Sequence, residues 1–333
     1  MWSWIKRIFL LVLCFTLLAF VDLTWRAFSP ITLRTDPVDF SIKPGSSLRS
    51  ATRQMVESGV ELKAWQFNLL GRLLGKASTI KAGSYELERG ITPLTLLDTL
   101  SAGDVTQIVL PLIEGWTFRQ MRAALDAEPG LKHDSAGLDD TEILVRLGAA
   151  ERSPEGLFFP DTYLFGKGNS DLDILKRAYR AMGRQLHAAW QQRAPDLPYR
   201  NPYEALIMAS VIEKETGQVA DRALIGGVFV NRLRIGMMLQ TDPSVIYGLG
   251  EKFDGNLRKK DLLTDTPYNT YTRTGLPPTP IAMPGQASLQ AALNPATTPA
   301  LYFVARGDGS SEFSRTLAEH ERAVSKYQRR GGR

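Results

Sequence analysis

The chain contains very few cysteine and histidine side chains. One of its 333 residues is a cysteine, Cys14, and its three histidines, His133, His187 and His320, lie far apart in the sequence. A single cysteine excludes an intrachain disulfide. Scattered histidines give no support for a structural zinc site or for a cysteine nucleophile paired with histidine. We therefore expect no metal ion in the functional site.

An excess of charge of one sign is also missing. Lys and Arg number 40 and Asp and Glu number 35, so the formal net charge is +5. This balance is too small and too scattered for a nucleic-acid footprint, and we expect no nucleic-acid partner. The 333 residues, 44% of them hydrophobic, can bury a sizeable core and suggest about two domains beyond a targeting segment.

One long apolar run is present, at the N-terminus. Residues 8–25 read IFLLVLCFTLLAFVDLTW, follow Lys6 and Arg7, and carry one charge, Asp22. The run is about long enough to span a bilayer. The cations before it predict a cytoplasmic N-terminus, residues 1–7, with the remaining chain on the outer side. A cleaved signal peptide is the alternative, but no small-x-small cleavage site follows the run. We predict a single-pass anchor.

The rest of the chain divides into three parts. Residues 26–37 contain two prolines and no helical periodicity, which indicates a linker. Residues 38–104 twice show a strand, a turn at Gly45 or Gly90, and a helix, which predicts a compact β-α-α-β-α module. This module resembles LysM modules, and the resemblance implies binding to N-acetylated glycans. Residues 105–333 mix longer helices with short strands, which predicts an α+β catalytic domain.

The clearest helix prediction covers residues 201–217, NPYEALIMASVIEKETG. Asn201 is suited to the N-cap, Pro202 to the first turn and Gly217 to the end. Residues 205–212 carry no charge, so we expect this helix to be buried on all sides.

Two carboxyls, Glu213 and Glu215, emerge at the end of this apolar helix. At 3.6 residues per turn, Glu213 stacks over Ala209 and Ser210, whose small side chains leave room for a ligand. Burial and the negative end of a helix dipole favour a protonated carboxyl, which is the general acid that glycosidic cleavage needs. The alternative is that both glutamates only mark where the helix meets water, and spacing alone does not decide.

Aromatic, amide and hydroxyl groups cluster in stretches 155–163, 239–247 and 268–271. Such mixtures bind sugars, because rings cover the apolar sugar faces and polar groups meet hydroxyl and N-acetyl groups. Turn-forming and core roles are the alternative for each residue. The candidates for substrate binding are Glu155, Phe159, Asp161, Ser210, Glu215, Gln240, Thr241, Asp242, Tyr247, Asn269 and Tyr271.

Six stretches, in this order, resemble the MltG (YceG-like) endolytic murein transglycosylase family. They are EGWTF at 114–118, EGLFFPDTY at 155–163, VIEKETG at 211–217, VFVNRLRIGMMLQTDPSVIYG at 228–248, YNTY at 268–271 and GLPPTPIAMPG at 275–285. The resemblance covers essentially the whole chain. It implies that Glu213, which opens the E-K-E-T motif, is catalytic, with Glu215 as the fallback. The family usually has His-Asn near the C-terminus, and His320-Glu321 stands here, which puts the role of His320 in doubt.

The resemblance also implies a reaction and partners. The family cleaves the β-1,4 bond between N-acetylmuramic acid and N-acetylglucosamine without water, leaving a 1,6-anhydro end, with one carboxyl acting first as acid and then as base. The implied partners are nascent peptidoglycan strands, the bacterial inner membrane and penicillin-binding proteins that synthesise peptidoglycan.

Two other classes compete with this interpretation. One is a non-catalytic, membrane-tethered peptidoglycan-binding protein, in which Glu213 has no function. The other is a pyridoxal-phosphate lyase, which would require a Schiff-base lysine and a phosphate cup. No Gly-rich phosphate loop of recognisable form is present, so we expect no cofactor.

Overall fold

The computed structural model describes residues 24–103 and 107–328, together with Trp4, Leu10, Leu11, Leu13, Leu17, Val21 and Asp22. Most of the predicted anchor, residues 8–25, lies outside the described residues. Within the part of the chain that is described, no helix has both the length and the apolar character needed for a membrane crossing. The anchor therefore stays a prediction.

The described chain forms two compact units. The first comprises the described residues up to Val109 with Gly130–Lys132 and Leu164–Asn169, and the second comprises Leu110–Pro129, His133–Tyr163 and the described residues from Ser170 onward. The domain boundaries predicted from the sequence, 38–104 and 105–333, stay predictions.

The first unit follows the predicted β-α-α-β-α order, with one extra strand pair. Its strands are β1 (Thr32–Leu33), β2 (Val38–Ile42), β3 (Val60–Glu61) and β4 (Gly83–Leu87), and its helices are α1 (Leu48–Glu57), α2 (Ala64–Leu73) and α3 (Pro93–Ala102). β2 and β4 pair antiparallel with Phe40 opposite Tyr85. The two rings stack in the core with centroids 5.5 Å apart. The side chain of Thr92 caps α3 and Pro93 occupies its first turn.

The three helices of this unit pack closely. α2 buries Phe67, Leu70 and Gly71. A Cβ at Gly71 would overlap the side chain of Leu48 on α1 and crowd that of Leu97 on α3. Glycine at this position therefore lets α2 approach its neighbours, and it fixes which face of α2 points inward.

The second unit combines helices with short strands and confirms the predicted α+β class. Its helices are α4 (Phe118–Asp126), α5 (Asp140–Leu147), α6 (Asp171–Gln191), α7 (Pro202–Glu215), α8 (Val219–Arg234), α9 (Asp242–Leu249), α10 (Lys259–Leu263), α11 (Gln286–Leu293) and α12 (Leu317–Tyr327). Strands β7 (Tyr302–Ala305) and β8 (Ser311–Ser314) form an antiparallel hairpin. Strands β5 (Gln107–Pro111) and β6 (Thr162–Gly166) pair with each other.

Helix α7 lies at the centre of this unit. Residues 205–212 are all buried, as the absence of charge predicts, and the side chain of Asn201 accepts a hydrogen bond from Glu204 N–H at 3.0 Å to cap the helix. Gly226 and Gly227 on α8 lie so close to the backbone carbonyls of Ala291 and Ala296 that a Cβ at either glycine would overlap them. The tight contact between α8 and the chain around α11 thus rests on two residues without side chains.

Candidate active site

The Glu213 carboxylate is fixed at the C-terminal end of α7. Arg222 Nη2 donates a hydrogen bond to Oε1 at 3.1 Å, and the N–H of Gly285 donates to Oε2 at 2.9 Å. Only 5% of the Glu213 side chain and 9% of the Arg222 side chain are exposed. A cation and a backbone amide therefore orient this carboxylate in surroundings nearly free of water.

Glu114 places a second carboxyl at the same point. A Cβ on Gly285 would overlap the Glu114 carboxylate, so Glu114 and Glu213 border the same glycine. Burial raises the pKa of Glu114, the charge of Glu213 raises it further, and Arg222 acts in the opposite direction. The three side chains form a group of two carboxyls and one guanidinium.

Two loop segments enclose this group. Gly115 N–H donates to the carbonyl of Met283 at 2.9 Å, and Met283 N–H donates to that of Trp116 at 2.8 Å. Lys214 Nζ donates to the carbonyl of Gly115 at 3.2 Å. The EGWTF stretch and the AMPG stretch are thus joined beside the end of α7, which explains how residues far apart in sequence meet at Glu213.

A cleft of about 1160 Å³ has Lys214, the neighbour of Glu213, in its lining, whereas Glu213 itself does not line it. Its lining includes Glu155, Lys214, Tyr247 and Tyr268, and Lys214 is the residue that follows Glu213 on α7. The rings of Tyr247 and Tyr268 meet edge to face with centroids 4.9 Å apart. Of the substrate-binding residues predicted from the sequence, Glu155 and Tyr247 are the two that line this cleft.

Glu155 is a buried carboxyl in the wall of this cleft. Burial raises its pKa to about 7, although hydrogen bonds from the N–H of Phe118 (3.0 Å) and the hydroxyl of Tyr247 (3.1 Å) act in the opposite direction. Glu155 therefore ties the first turn of α4 to α9 and changes its protonation near neutral pH.

Four of the predicted residues form a separate cluster. Thr241 Oγ1 donates to Glu215 Oε2 at 2.8 Å, and the Tyr271 hydroxyl donates to Asp242 Oδ1 at 2.6 Å. Burial raises the pKa of Glu215, Asp242 adds to that effect, and the Thr241 hydrogen bond and Arg232 oppose it. Four residues chosen from the sequence therefore lie together in the structure, but they surround Glu215 and not Glu213.

His320 lies at another part of the second unit, against the β7–β8 hairpin. Its ring stacks on Tyr302 with centroids 5.3 Å apart, and the guanidinium of Arg232 lies 5.4 Å from the centre of the same Tyr302 ring. Burial lowers the pKa of His320, and the charge of Arg232 lowers it further. These contacts indicate that His320 packs the start of α12 against the β7–β8 hairpin.

The remaining predicted residues make contacts within the protein. Ser210 is fully buried, donates to the carbonyl of Ile207 and accepts from the N–H of Ile281 at 3.0 Å. Asn269 is fully buried and donates to carbonyls in residues 261–264. The carbonyl of Phe159 accepts a hydrogen bond from the hydroxyl of Tyr163. Asp161 and Gln240 are exposed, and the φ of Gln240 is 50°. Contact of these five with substrate stays a prediction.

The partners of Glu213 were not among the predicted site residues. Glu114 and Gly285 lie in stretches that carry the family resemblance, so a sequence signal for them existed. Arg222 lies in none of these stretches, nine positions beyond Glu213 on the next helix, and no sequence pattern marks it.

One group of potential metal ligands occurs among the described residues. Ligand atoms of Asp126, His133 and Asp171 lie within 4.8 Å of one another. Each oxygen of the buried Asp171 carboxylate already accepts two hydrogen bonds, from Ser135 and from the N–H of Leu172. The carboxylate therefore holds the 133–135 turn against the start of α6, and its oxygens are occupied.

The chain belongs to the YceG-like family, whose sequence profile matches residues 40–326. The endolytic murein transglycosylase of Bacillus subtilis (strain 168) is 34% identical over 310 residues, which cover 87% of this chain and 84% of that protein. The endolytic murein transglycosylase of Streptococcus pneumoniae serotype 2 is 25% identical over 324 residues, covering 87% of this chain and 58% of that longer protein. A crystal structure of a YceG-like protein from Listeria monocytogenes is similar, with a TM-score of 0.56 and 30% identity over 86% of this chain and 99% of that one.

Proposed function

We propose that this protein is an endolytic murein transglycosylase with Glu213 as its catalytic residue. The names of its relatives support peptidoglycan as the substrate. The observation that carries the catalytic assignment is the Glu213 carboxylate, which Arg222 and Gly285 N–H orient and whose next residue, Lys214, lines a wide cleft. The bond cleaved is the β-1,4 bond between N-acetylmuramic acid and N-acetylglucosamine.

One carboxyl is sufficient for this chemistry. Glu213 donates a proton to the glycosidic oxygen as the bond from that oxygen to the anomeric carbon breaks. The Glu213 carboxylate then accepts the proton of the muramoyl 6-hydroxyl while O6 bonds to the anomeric carbon. Glu213 returns to its starting protonation state, water is not consumed, and the product carries a 1,6-anhydro end.

The surrounding groups suit these two roles. Arg222 keeps a cation against the carboxylate in the base form, and the raised pKa of Glu114 keeps a carboxyl that is readily protonated beside it. Because only 5% of the Glu213 side chain is exposed, the glycosidic oxygen reaches it only when the groups that cover it move aside. Substrate binding and opening of this cover are therefore coupled.

The cleft offers contacts for a glycan strand. Tyr247 and Tyr268 offer rings for pyranose faces, and Arg119 and Arg122 bring positive charge to a cleft whose substrate carries peptide carboxylates. Glu155 supplies a hydrogen-bonding carboxyl on the same wall.

We further propose that the chain is anchored in the bacterial inner membrane and acts on nascent strands. The apolar residues 8–25 support the anchor. The β-α-α-β-α order of the first unit supports a LysM-like glycan-binding module. An enzyme tethered there meets strands as penicillin-binding proteins release them, so these synthases are the proposed partners.

The test is product analysis with uncrosslinked glycan strands. The full chain in detergent should release fragments whose mass shows anhydro ends, and Glu213→Gln should release none although its circular dichroism shows that it remains folded. Glu204→Gln, at the opposite end of the same helix, is the matched control and should retain activity. Reducing ends would indicate a hydrolase. Absence of products from the unaltered chain, with glycan still bound, would instead indicate a non-catalytic peptidoglycan-binding protein.

A further inference from the structure

Helix α2 of the first unit carries apolar side chains on the face that points away from the core. Trp65, Leu69 and Leu73 are 65%, 39% and 65% exposed. They lie four residues apart, so they form one row along the helix. The opposite face of α2 already provides the core contacts through Phe67 and Leu70. Core packing therefore does not account for the exposed row.

Cations border this row. A groove of about 780 Å³ runs between α1 and α2, and its lining includes Trp65, Leu69 and the guanidinium-bearing residues Arg49, Arg53 and Arg72. All three arginines are exposed. Within the described ranges none of them has an ion pair, and Glu57 is the single carboxylate that lines the groove. The groove thus combines an apolar floor with a positive rim.

The position of α2 relative to the apolar N-terminal run suggests what covers this surface. Gln66 Nε2 lies 3.5 Å from Asp22 Oδ2, and Asp22 stands three residues before the end of the run at Trp25. One helical turn rises about 5.4 Å. The start of α2, with Trp65 beside Gln66, therefore lies within about one turn of the point where the chain would leave a bilayer.

We infer that the α1–α2 groove rests on an anionic lipid surface. Trp65, Leu69 and Leu73 enter the boundary between headgroups and acyl chains, and the three guanidiniums pair with lipid phosphates. Tryptophan, leucine and arginine in this arrangement are the composition of interfacial helices. The inference rests on the proposed membrane anchor and extends it, because it gives the first unit a fixed face toward the bilayer.

A sugar ligand fits this groove less well. Glycan sites combine a ring with several amide or hydroxyl groups that meet the sugar hydroxyls. Here Asn68 is the one amide in the lining, and two leucines continue the row beyond Trp65. Aliphatic side chains in a row suit acyl chains.

The experiment places a fluorescent label at one position of the full chain. In a Cys14→Ser background, Leu69→Cys is labelled with a polarity-sensitive dye, and the protein is reconstituted into vesicles of phosphatidylcholine with or without phosphatidylglycerol. Lipids that carry a quencher near the headgroup should quench the label severalfold more strongly when phosphatidylglycerol is present. The same label at Glu86→Cys, an exposed position on strand β4 of the same unit that does not line the groove, is the control and should be quenched much less.

Charge reversal separates the surface from the anchor. Arg53→Glu should remove most of the quenching at position 69, whereas Lys43→Glu, an exposed cation that does not line the groove, should leave it unchanged. Protein that floats with the vesicles but shows no quenching at position 69 overturns the inference while the anchor stands. Protein that does not float refutes the anchor itself. Quenching relieved by uncrosslinked glycan strands would assign the groove to glycan and overturn the inference.

Discussion

The buried pair of Glu213 and Arg222 allows a quantitative test of how the site is held together. Both side chains are less than a tenth exposed, and 3.1 Å separates Oε1 from Nη2. Arg222→Met leaves a buried carboxylate without its cation, which costs about 3–5 kcal/mol of unfolding free energy. Glu213→Gln should cost less, about 2 kcal/mol, because the amide oxygen still accepts from Gly285 N–H and Glu114 remains near the guanidinium.

The double variant should recover part of this loss. With neither charge present, the combined cost should fall below the sum of the single costs by about 2 kcal/mol. The assay is denaturant unfolding of the four proteins in the same detergent, followed by circular dichroism. As a control, the exposed pair of Arg273 and Asp265 should show no measurable coupling. Single-variant losses that add within about 0.5 kcal/mol would refute a buried, mutually dependent pair.

Four further residues give shorter tests. Gly285→Ala places a Cβ where the Glu114 carboxylate now lies. A displacement of about 1 Å should lower the turnover rate about a hundredfold without a change in thermal unfolding. As a control, Gly217→Ala, which adds a Cβ in open space after the same helix α7, should leave the rate unchanged. Because the folded-state pKa of Glu155 is raised to about 7, the unfolding free energy should fall by up to about 3 kcal/mol as pH rises from about 4.5 to 7. Glu155→Gln should flatten this pH dependence in denaturation experiments. An unchanged pH dependence in the variant would contradict the role of Glu155. Thr241→Val removes the hydrogen-bond donor to Glu215 and raises the pKa of that carboxyl further. The variant should therefore lose about 1 kcal/mol of unfolding free energy at neutral pH and less at acid pH. Equal losses at both pH values would show that Thr241 contributes packing alone.

Local signals predicted the helix that carries Glu213. An asparagine cap, a proline in the first turn and eight residues without charge depend only on neighbours in sequence, and α7 accordingly begins at Pro202 and buries residues 205–212. The same kind of local signal stands at the start of α3, where Thr92 caps the helix and Pro93 occupies its first turn.

Packing between distant segments was not predictable in this way. Helical periodicity placed Ser210 beneath Glu213 and suggested free space there, but Ile281 N–H occupies that space with a hydrogen bond to Ser210 Oγ. Periodicity identifies which side chains share a face and carries no information about what covers it. Likewise, Arg222 reaches Glu213 only because the chain turns between α7 and α8, and Gly285 reaches it only because the 281–285 loop pairs with residues 115–116.

The pairing of the 113–116 and 281–285 segments has a consequence for how the protein comes into being. Glu114, Glu213 and Gly285 are separated by most of the second unit's sequence, so their contacts close long loops and depend on the packing of that whole stretch. A growing or half-folded chain holds Glu213 without the amide that orients it. For an enzyme proposed to cut the cell wall, the arrangement around Glu213 therefore requires the completed fold of this stretch.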